Sequence, residues 1–230
     1  MNPPTAPPRR SPRLSVEQAG DAPPRIRVTS GGAPLAGGVV AAAVGAAAAL
    51  ALAGSQRGSL VDLTVSYLAP VAGEDVFAIG RLLRRGREIA YTAVDVRTAA
   101  GMPVAAGVVT SFVTAVPAAS RWSTPIPIPP AGAVHAIASP GDTPDDEMLA
   151  TVLDRAATSA AAALLPVGVP GGVVPLALYL ALHAPGRSPL EADAYVVHRR
   201  AEIVATRVTL GAGGRVVATG GVTYRLETAG

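Results

Sequence analysis

Alternation of hydrophobic and polar residues predicts a β-strand from Ser59 to Val71. Leu63, Val65 and Tyr67 fall on one face of this strand, and the polar residues between them fall on the other. This period of two is typical of a strand that buries one face against a core and leaves the other in water.

The same strand pattern occurs a second time in the chain. Residues 61–68 (VDLTVSYL) resemble residues 174–181 (VPLALYLA), 113 residues later (174 minus 61). At the same spacing, residues 104–110 (VAAGVVT) resemble residues 217–223 (VATGGVT). A repeat of this length is a whole domain. The sequence therefore predicts two copies of one α+β module, with any active site between them.

The first copy combines one helix with a run of strands. Val39–Ala53 is rich in Ala and uncharged, which predicts a buried helix, and Gly54 can end it. After a lead-in strand and this helix, four antiparallel strands are predicted: Ser59–Val71, Val76–Leu83, Glu88–Thr98 and Pro103–Ala115.

The second copy repeats this order. Thr143 is a suitable N-cap for a helix whose first turn is acidic, and the helix is expected to reach Leu165, before Pro166. Four strands follow: Val173–Leu182, Glu191–His198, Glu202–Leu210 and Val216–Glu227.

Composition places the domain boundaries. Residues 1–24 are rich in Pro and Arg and predict a disordered tail. Residues 117–143 form a Pro-rich linker, expected to run as polyproline-like or edge structure, with Trp122 as an anchor to a surface. The modules are therefore assigned to residues 25–116 and 144–230.

Charge and composition argue against several classes of function. All 19 basic residues are Arg, the net charge is only +3, and no aromatic residues alternate with the one basic cluster, so a nucleic-acid partner is not favoured. The uncharged stretch 28–56 is too rich in Ala and Gly to favour a membrane span. The chain has no Cys and no pattern of His residues that suggests a metal site, and a cytoplasmic location is expected.

A helix followed by four antiparallel strands, given twice, resembles the hotdog fold. Residues 62–70 resemble the strand of PaaI-type acyl-CoA thioesterases that ends in Tyr/Phe-Leu-x-Pro. Residues 84–87 (RRGR) and 104–107 (VAAG) resemble later motifs of that family, and residues 214–220 repeat the second of these. The resemblance implies a double hotdog, in which one chain supplies both modules.

The resemblance also implies where the chemistry lies. In this family a His-Gly-Gly motif opens the central helix, and the backbone N–H of its first glycine stabilises the thioester oxyanion. An acid nine residues after that His, on the facing module, activates water or attacks the carbonyl. This chain has Ala36-Gly37-Gly38 in the first half and Asp154 in the second. It therefore predicts one composite catalytic site of Gly37, Gly38 and Asp154.

Four further residues are candidates for substrate binding. Ser30 lies where the family often has an Asn that supports the oxyanion site, and Arg84, Arg85 and Arg87 could meet the phosphates of coenzyme A. A loop hydroxyl and a solvated hairpin are the alternative interpretations.

Simpler interpretations stay open for the catalytic residues too. The helical stripe that carries Asp154 could be a solvated face, and Gly37-Gly38 could be a turn that needs unusual backbone angles. A hydroxyl that helps to position water is expected near Val173, and Val cannot provide it.

The expected function is an acyl-CoA thioesterase, a thioester hydrolase with no cofactor beyond the coenzyme A of its substrate. A non-catalytic protein that binds acyl-CoA or acyl ligands is the main alternative, and a hotdog dehydratase ranks third. The two modules are expected to form a pseudo-dimer within one chain, with further homo-oligomerisation open.

Overall fold

The computed structural model describes residues 13–18, 23–32, 34–52, 57–114, 126–127, 146–165, 171–184 and 190–228. Two helices occur in these ranges, α1 (Gly37–Leu52) and α2 (Asp146–Ala162). The strands before α2 are β1 (Arg13–Glu17), β2 (Arg25–Thr29), β3 (Arg57–Tyr67), β4 (Val76–Arg85), β5 (Ile89–Thr98), β6 (Pro103–Thr114) and β7 (Ile126–Pro127). Those after it are β8 (Gly171–Leu182), β9 (Glu191–Arg200), β10 (Ile203–Ala212) and β11 (Arg215–Thr228).

The strands of the described ranges form one antiparallel sheet in the order β7-β1-β2-β4-β5-β6-β3-β8-β11-β10-β9. The two modules join where β3 pairs with β8, and at this seam Val65 lies opposite Leu178. These residues occupy equivalent positions in the repeat, so the seam is the centre of a pseudo-twofold relation between the modules.

Both helices pack on the same face of the sheet. Gly107 of β6 lies under Val44 of α1, and Gly220 of β11 lies under Leu153 of α2; a Cβ at either glycine would approach the helix side chain closer than 3 Å. The two glycines are equivalent in the repeat. Each copy needs a glycine here because the helix packs directly on the strand at this position. The helices also contact each other, so both belong to one core.

The predicted elements agree with the structure to within a few residues at their ends. Leu63 and Val65 of β3 are buried and Thr64 and Ser66 are exposed, as the alternation predicts. The largest boundary error is at the end of β3, which stops at Tyr67 rather than Val71.

One expectation outside the modules needs correction. The predicted disordered tail contains β1, which pairs with β2 and buries Leu14 in the core, so disorder is wrong for Arg13–Glu17. The predicted linker contributes β7 as an edge strand on β1, which is the edge structure expected of a Pro-rich segment. Thr143 and Trp122 lie outside the described residues. Neither described helix is long and apolar enough to cross a membrane.

Candidate functional site between the two helices

Helix α1 begins at Gly37, at the seam between the modules. The Ala36 carbonyl accepts hydrogen bonds from the N–H groups of Val39 and Val40, which closes the first turn. The Gly37 N–H has no acceptor among the described residues, as expected for the first residue of a helix. A free N–H at a helix N-terminus is suited to bind an oxyanion, because the helix dipole favours negative charge there.

The next residue contacts the opposite helix. The Gly38 N–H donates a hydrogen bond of 2.7 Å to Oδ2 of Asp154, across the seam. Neither Gly37 nor Gly38 has a positive φ, so the interpretation of this pair as an unusual turn is wrong. Glycine is needed at 38 for space, since a Cβ there would lie 2.8 Å from Thr151 Cα and 2.9 Å from Asp154 Cβ.

Asp154 is buried, with only 3 % of its surface exposed. The Tyr224 hydroxyl lies 3.0 Å from Oδ1 and 3.1 Å from the backbone carbonyl oxygen of Asp154. Burial raises the pKa of Asp154, while the hydrogen bonds from Gly38 and Tyr224 and the charge of Arg155 oppose that rise. The interpretation of this helical stripe as a solvated face is therefore wrong: Thr151 and Asp154 both face the other module and the sheet.

Tyr67, at the end of β3, holds the other side of Gly37. Its hydroxyl donates a hydrogen bond of 2.8 Å to the Gly37 carbonyl oxygen. A Cβ built on Gly37 would lie 3.1 Å from Pro175 Cγ, 3.2 Å from the Tyr67 hydroxyl and 3.3 Å from Asp154 Oδ1. Burial, with the nearby Asp154 carboxylate, raises the pKa of Tyr67, so its phenol stays a hydrogen-bond donor.

A cavity of about 310 Å³ opens beside Gly37. Most of its wall is apolar and comes from the loop before α1, the turn after β3 and the first residues of β8. Among the described residues of its wall, Tyr67 and Arg225 have polar side chains. Asp154 lies directly behind the wall formed by Gly37, Tyr67 and Pro175. A mostly apolar cavity with a few polar residues in its wall is typical of a small-molecule site.

Ser30 lies in the loop that leads to α1. Its hydroxyl donates to the Gly73 carbonyl oxygen (2.5 Å) and accepts from the Gly32 N–H (3.1 Å), and the Asp75 carboxylate accepts from its backbone N–H. The structure thus places Ser30 as a buried support for this loop, and it does not line the cavity.

The arginine cluster lies away from the cavity. Arg85 pairs with Ala90, which packs on Leu52, the last residue of α1. Since α1 has 16 residues and rises 1.5 Å per residue, this hairpin lies about 22 Å from Gly37 along the helix. Arg84, Arg85 and Arg87 are exposed there, so the structure does not bring the predicted phosphate ligands together with the predicted catalytic residues.

Three residues near the site were not found from the sequence. The alternation in β3 gives Tyr67 no polar role, and no motif in the sequence points to Tyr224 or Arg225. One difference between the two copies draws attention to Tyr224: the equivalent position in the first copy, Ser111 (224 minus 113), is not a Tyr. No group of residues suited to hold a metal occurs in the described part of the chain.

Comparison with known proteins finds a family model that matches the first module and solved structures similar to the whole fold. The family model of the acyl-CoA thioesterase N-terminal domain matches residues 25–113. The tesB protein of Mycobacterium avium subs paratuberculosis is 16 % identical, with a TM-score of 0.68 over 94 % of this chain and 96 % of that one. An acyl-CoA thioesterase II of Mycobacterium marinum is 17 % identical, with a TM-score of 0.67 and the same coverage.

A hotdog protein of Alicyclobacillus acidocaldarius is 14 % identical, with a TM-score of 0.60 over 94 % of this chain and 96 % of that one. At these identities the likeness establishes the fold, and it confirms the predicted double hotdog. The finer resemblance to the PaaI type stays a prediction. No curated protein sequence matches the chain.

Proposed function

We propose that this chain, a double hotdog protein whose first module matches the acyl-CoA thioesterase N-terminal domain family, hydrolyses an acyl-CoA thioester at one composite site between its modules. The observation that carries this proposal is the 2.7 Å hydrogen bond between Gly38 and Asp154, which brings the helix N-terminus of one module and the acid of the other together. The match to the acyl-CoA thioesterase family model supports the reaction. The contact between Gly38 and Asp154 supports this location for the site.

In the proposed reaction the thioester carbonyl oxygen accepts a hydrogen bond from the Gly37 N–H, which has no acceptor among the described residues and belongs to a residue that lines the cavity. The developing oxyanion is stabilised by this N–H and by the dipole of α1. Asp154 takes a proton from the attacking water, the C–S bond breaks, and the proton passes to the thiolate that leaves. A carboxylate whose pKa is raised by burial is a stronger base at neutral pH than an ordinary Asp.

Arg225 is the proposed contact for the phosphates of coenzyme A. It contributes to the wall of the cavity that Gly37 also lines, and its side chain is 48 % exposed, which suits a group that receives a phosphate at the entrance. Its present partner is Glu227 at 2.7 Å, on the surface, where an ion pair contributes little free energy and can be exchanged for a phosphate.

A panel of acyl-CoAs of increasing chain length, with detection of the free thiol, tests the proposal. Release of coenzyme A from at least one of them, at a rate that depends on chain length, is expected. Binding of acyl-CoA by calorimetry without thiol release would contradict hydrolysis.

The second candidate function is a protein that binds acyl-CoA without hydrolysis, and two observations favour it. The first residues of β8 that line the cavity are Val173, Val174, Pro175 and Leu176, which offer no side-chain hydroxyl to position a water. Asp154 lies behind the cavity wall rather than in it. The same panel distinguishes the two functions.

A further inference from the structure

The contacts of Tyr224 with Asp154 are unusual in one respect. The Tyr224 oxygen lies almost equally far from two acceptors of the same residue, the carboxylate Oδ1 (3.0 Å) and the backbone carbonyl oxygen (3.1 Å). A phenol hydroxyl has a single donor hydrogen, so it can make a well-aligned hydrogen bond to only one of these acceptors at a time. The Thr158 hydroxyl, at 2.9 Å, can donate to the Tyr224 oxygen and so fix it in place.

A buried general base has to exist in two protonation states. When a water gives up its proton, the Asp154 carboxylate becomes a carboxyl group, and every buried polar group around it must still have a partner. Gly38 can donate to Oδ2 in both states, because a carboxyl group keeps an acceptor oxygen. A fixed donor on Oδ1 would oppose the protonated state, whereas a donor that can turn away would not.

We propose that the Tyr224 hydroxyl is a proton-sensing switch for Asp154, donating to Oδ1 while Asp154 is ionised and to the Asp154 carbonyl oxygen once Asp154 is protonated. In the second state the carboxyl O–H donates to the Tyr224 oxygen. The covalent O–H bond of Tyr224 stays intact, and only the rotation of this hydroxyl about the C–O bond changes. The proton that Asp154 carries comes from the water. Tyr224 is thus a positioning residue, and this role rests on the proposed function of Asp154 as the base.

The surroundings of Asp154 leave Tyr224 as the main movable donor. Tyr67 of β3 faces the carboxylate, but its hydroxyl is used by the Gly37 carbonyl. Arg155, on α2 itself, acts on Asp154 through its charge. Helix α1 presents only Gly, Ala, Val and Leu residues, so it adds no titratable group.

The test is Tyr224→Phe, which removes the hydroxyl and keeps the ring. Without this donor the ionised state of Asp154 is less stable, so the titration of Asp154 moves to higher pH, by about one to two pH units for a hydrogen bond to a charged group. The acid limb of the kcat/KM profile is expected to move by the same amount, with turnover recovering at high pH. An unmoved limb would overturn the proposal.

The matched control is Thr206→Val. Thr206 is equally buried, and its hydroxyl bonds to the backbone of Val222, two residues from Tyr224, without contacting Asp154. It is expected to lower stability and leave the limb in place. A shift of the same size in Thr206→Val would mean that the limb reports general loosening, and would also overturn the proposal.

A second readout needs no turnover. The titration of Asp154, followed by NMR of 13C-labelled Asp carboxyls, is expected to shift upward in Tyr224→Phe and in the same direction, by less, in Thr158→Val. If wild type lacks activity but this shift occurs, the proposed function fails while the switch stands. If the carboxyl titrates at the same pH in all three proteins, the switch fails whether or not the protein is an enzyme.

Discussion

The contact between the helices can be tested by placing the same methyl group at two positions of α1. In Gly38→Ala the new Cβ would lie 2.8 Å from Thr151 Cα and 2.9 Å from Asp154 Cβ, far inside the roughly 3.5–4.0 Å of an ordinary carbon contact. In Gly45→Ala the Cβ would meet nothing within 4 Å. Both changes replace Gly by Ala in one helix, so their difference isolates the contact at the seam.

The magnitudes follow from this geometry. Overpacking by one methyl costs about 1–3 kcal/mol, and separating the helices weakens the Gly38–Asp154 hydrogen bond, of a kind that contributes about 1.5–3 kcal/mol. The better helix propensity of Ala returns at most about 1 kcal/mol. Gly38→Ala is therefore expected to lose about 2–4 kcal/mol, whereas Gly45→Ala gains about 0.5–1 kcal/mol.

Urea unfolding at one pH measures both variants, and acyl-CoA turnover is measured in parallel. We expect Gly38→Ala to lose most of its turnover, because Asp154 is displaced, and Gly45→Ala to keep it. Equal stabilities of the two variants, to within about 0.5 kcal/mol, would refute the inference that the seam is packed too tightly for any side chain at residue 38.

Three further outcomes are expected. Burial raises the pKa of Asp154 above its ordinary 3.8, so the folded protein binds this proton more tightly than the unfolded chain does. The contribution of Asp154 to the free energy of unfolding therefore falls as the pH rises through the raised pKa. Asp154→Asn should remove this pH dependence in urea unfolding from pH 3 to 8, and an unchanged pH dependence would contradict the prediction. Gly37→Ala should lower kcat by about tenfold or more, since its Cβ crowds the Tyr67 hydroxyl and Asp154, and wild-type kcat would show that the space beside Gly37 is not used. Arg225→Gln should raise KM for acyl-CoA while Arg84→Gln leaves it unchanged, and the reverse result would place the phosphates at the hairpin.

The repeat made the fold predictable from sequence. Strand alternation and the 113-residue spacing identify both modules, because residues that pack a helix on a sheet, such as Gly107 and Gly220, must recur in each copy. The strand β1, which carries Leu14, was not predictable in this way. It is held by pairing with β2, and the short Arg-rich segment around it gives no sign of that contact.

The site was predictable only in part. Gly37, Gly38 and Asp154 come from motif positions, and the structure places them together. The positions of Tyr224 and Arg225 at the site depend on how β11 packs against α2 and pairs with β8, which the sequence alone does not show. The arginines of the β4–β5 hairpin show the same limit, since clustering in sequence does not say at which end of α1 they lie.

The central claim is that the acid of one module serves the helix N-terminus of the other. Acyl-CoA hydrolysis by Asp154→Asn, on the best substrate of the panel and with urea unfolding to verify the fold, tests it most directly. The account predicts a folded protein whose kcat is at least about 100-fold below wild type. A folded Asp154→Asn protein that hydrolyses acyl-CoA at the wild-type rate would contradict it.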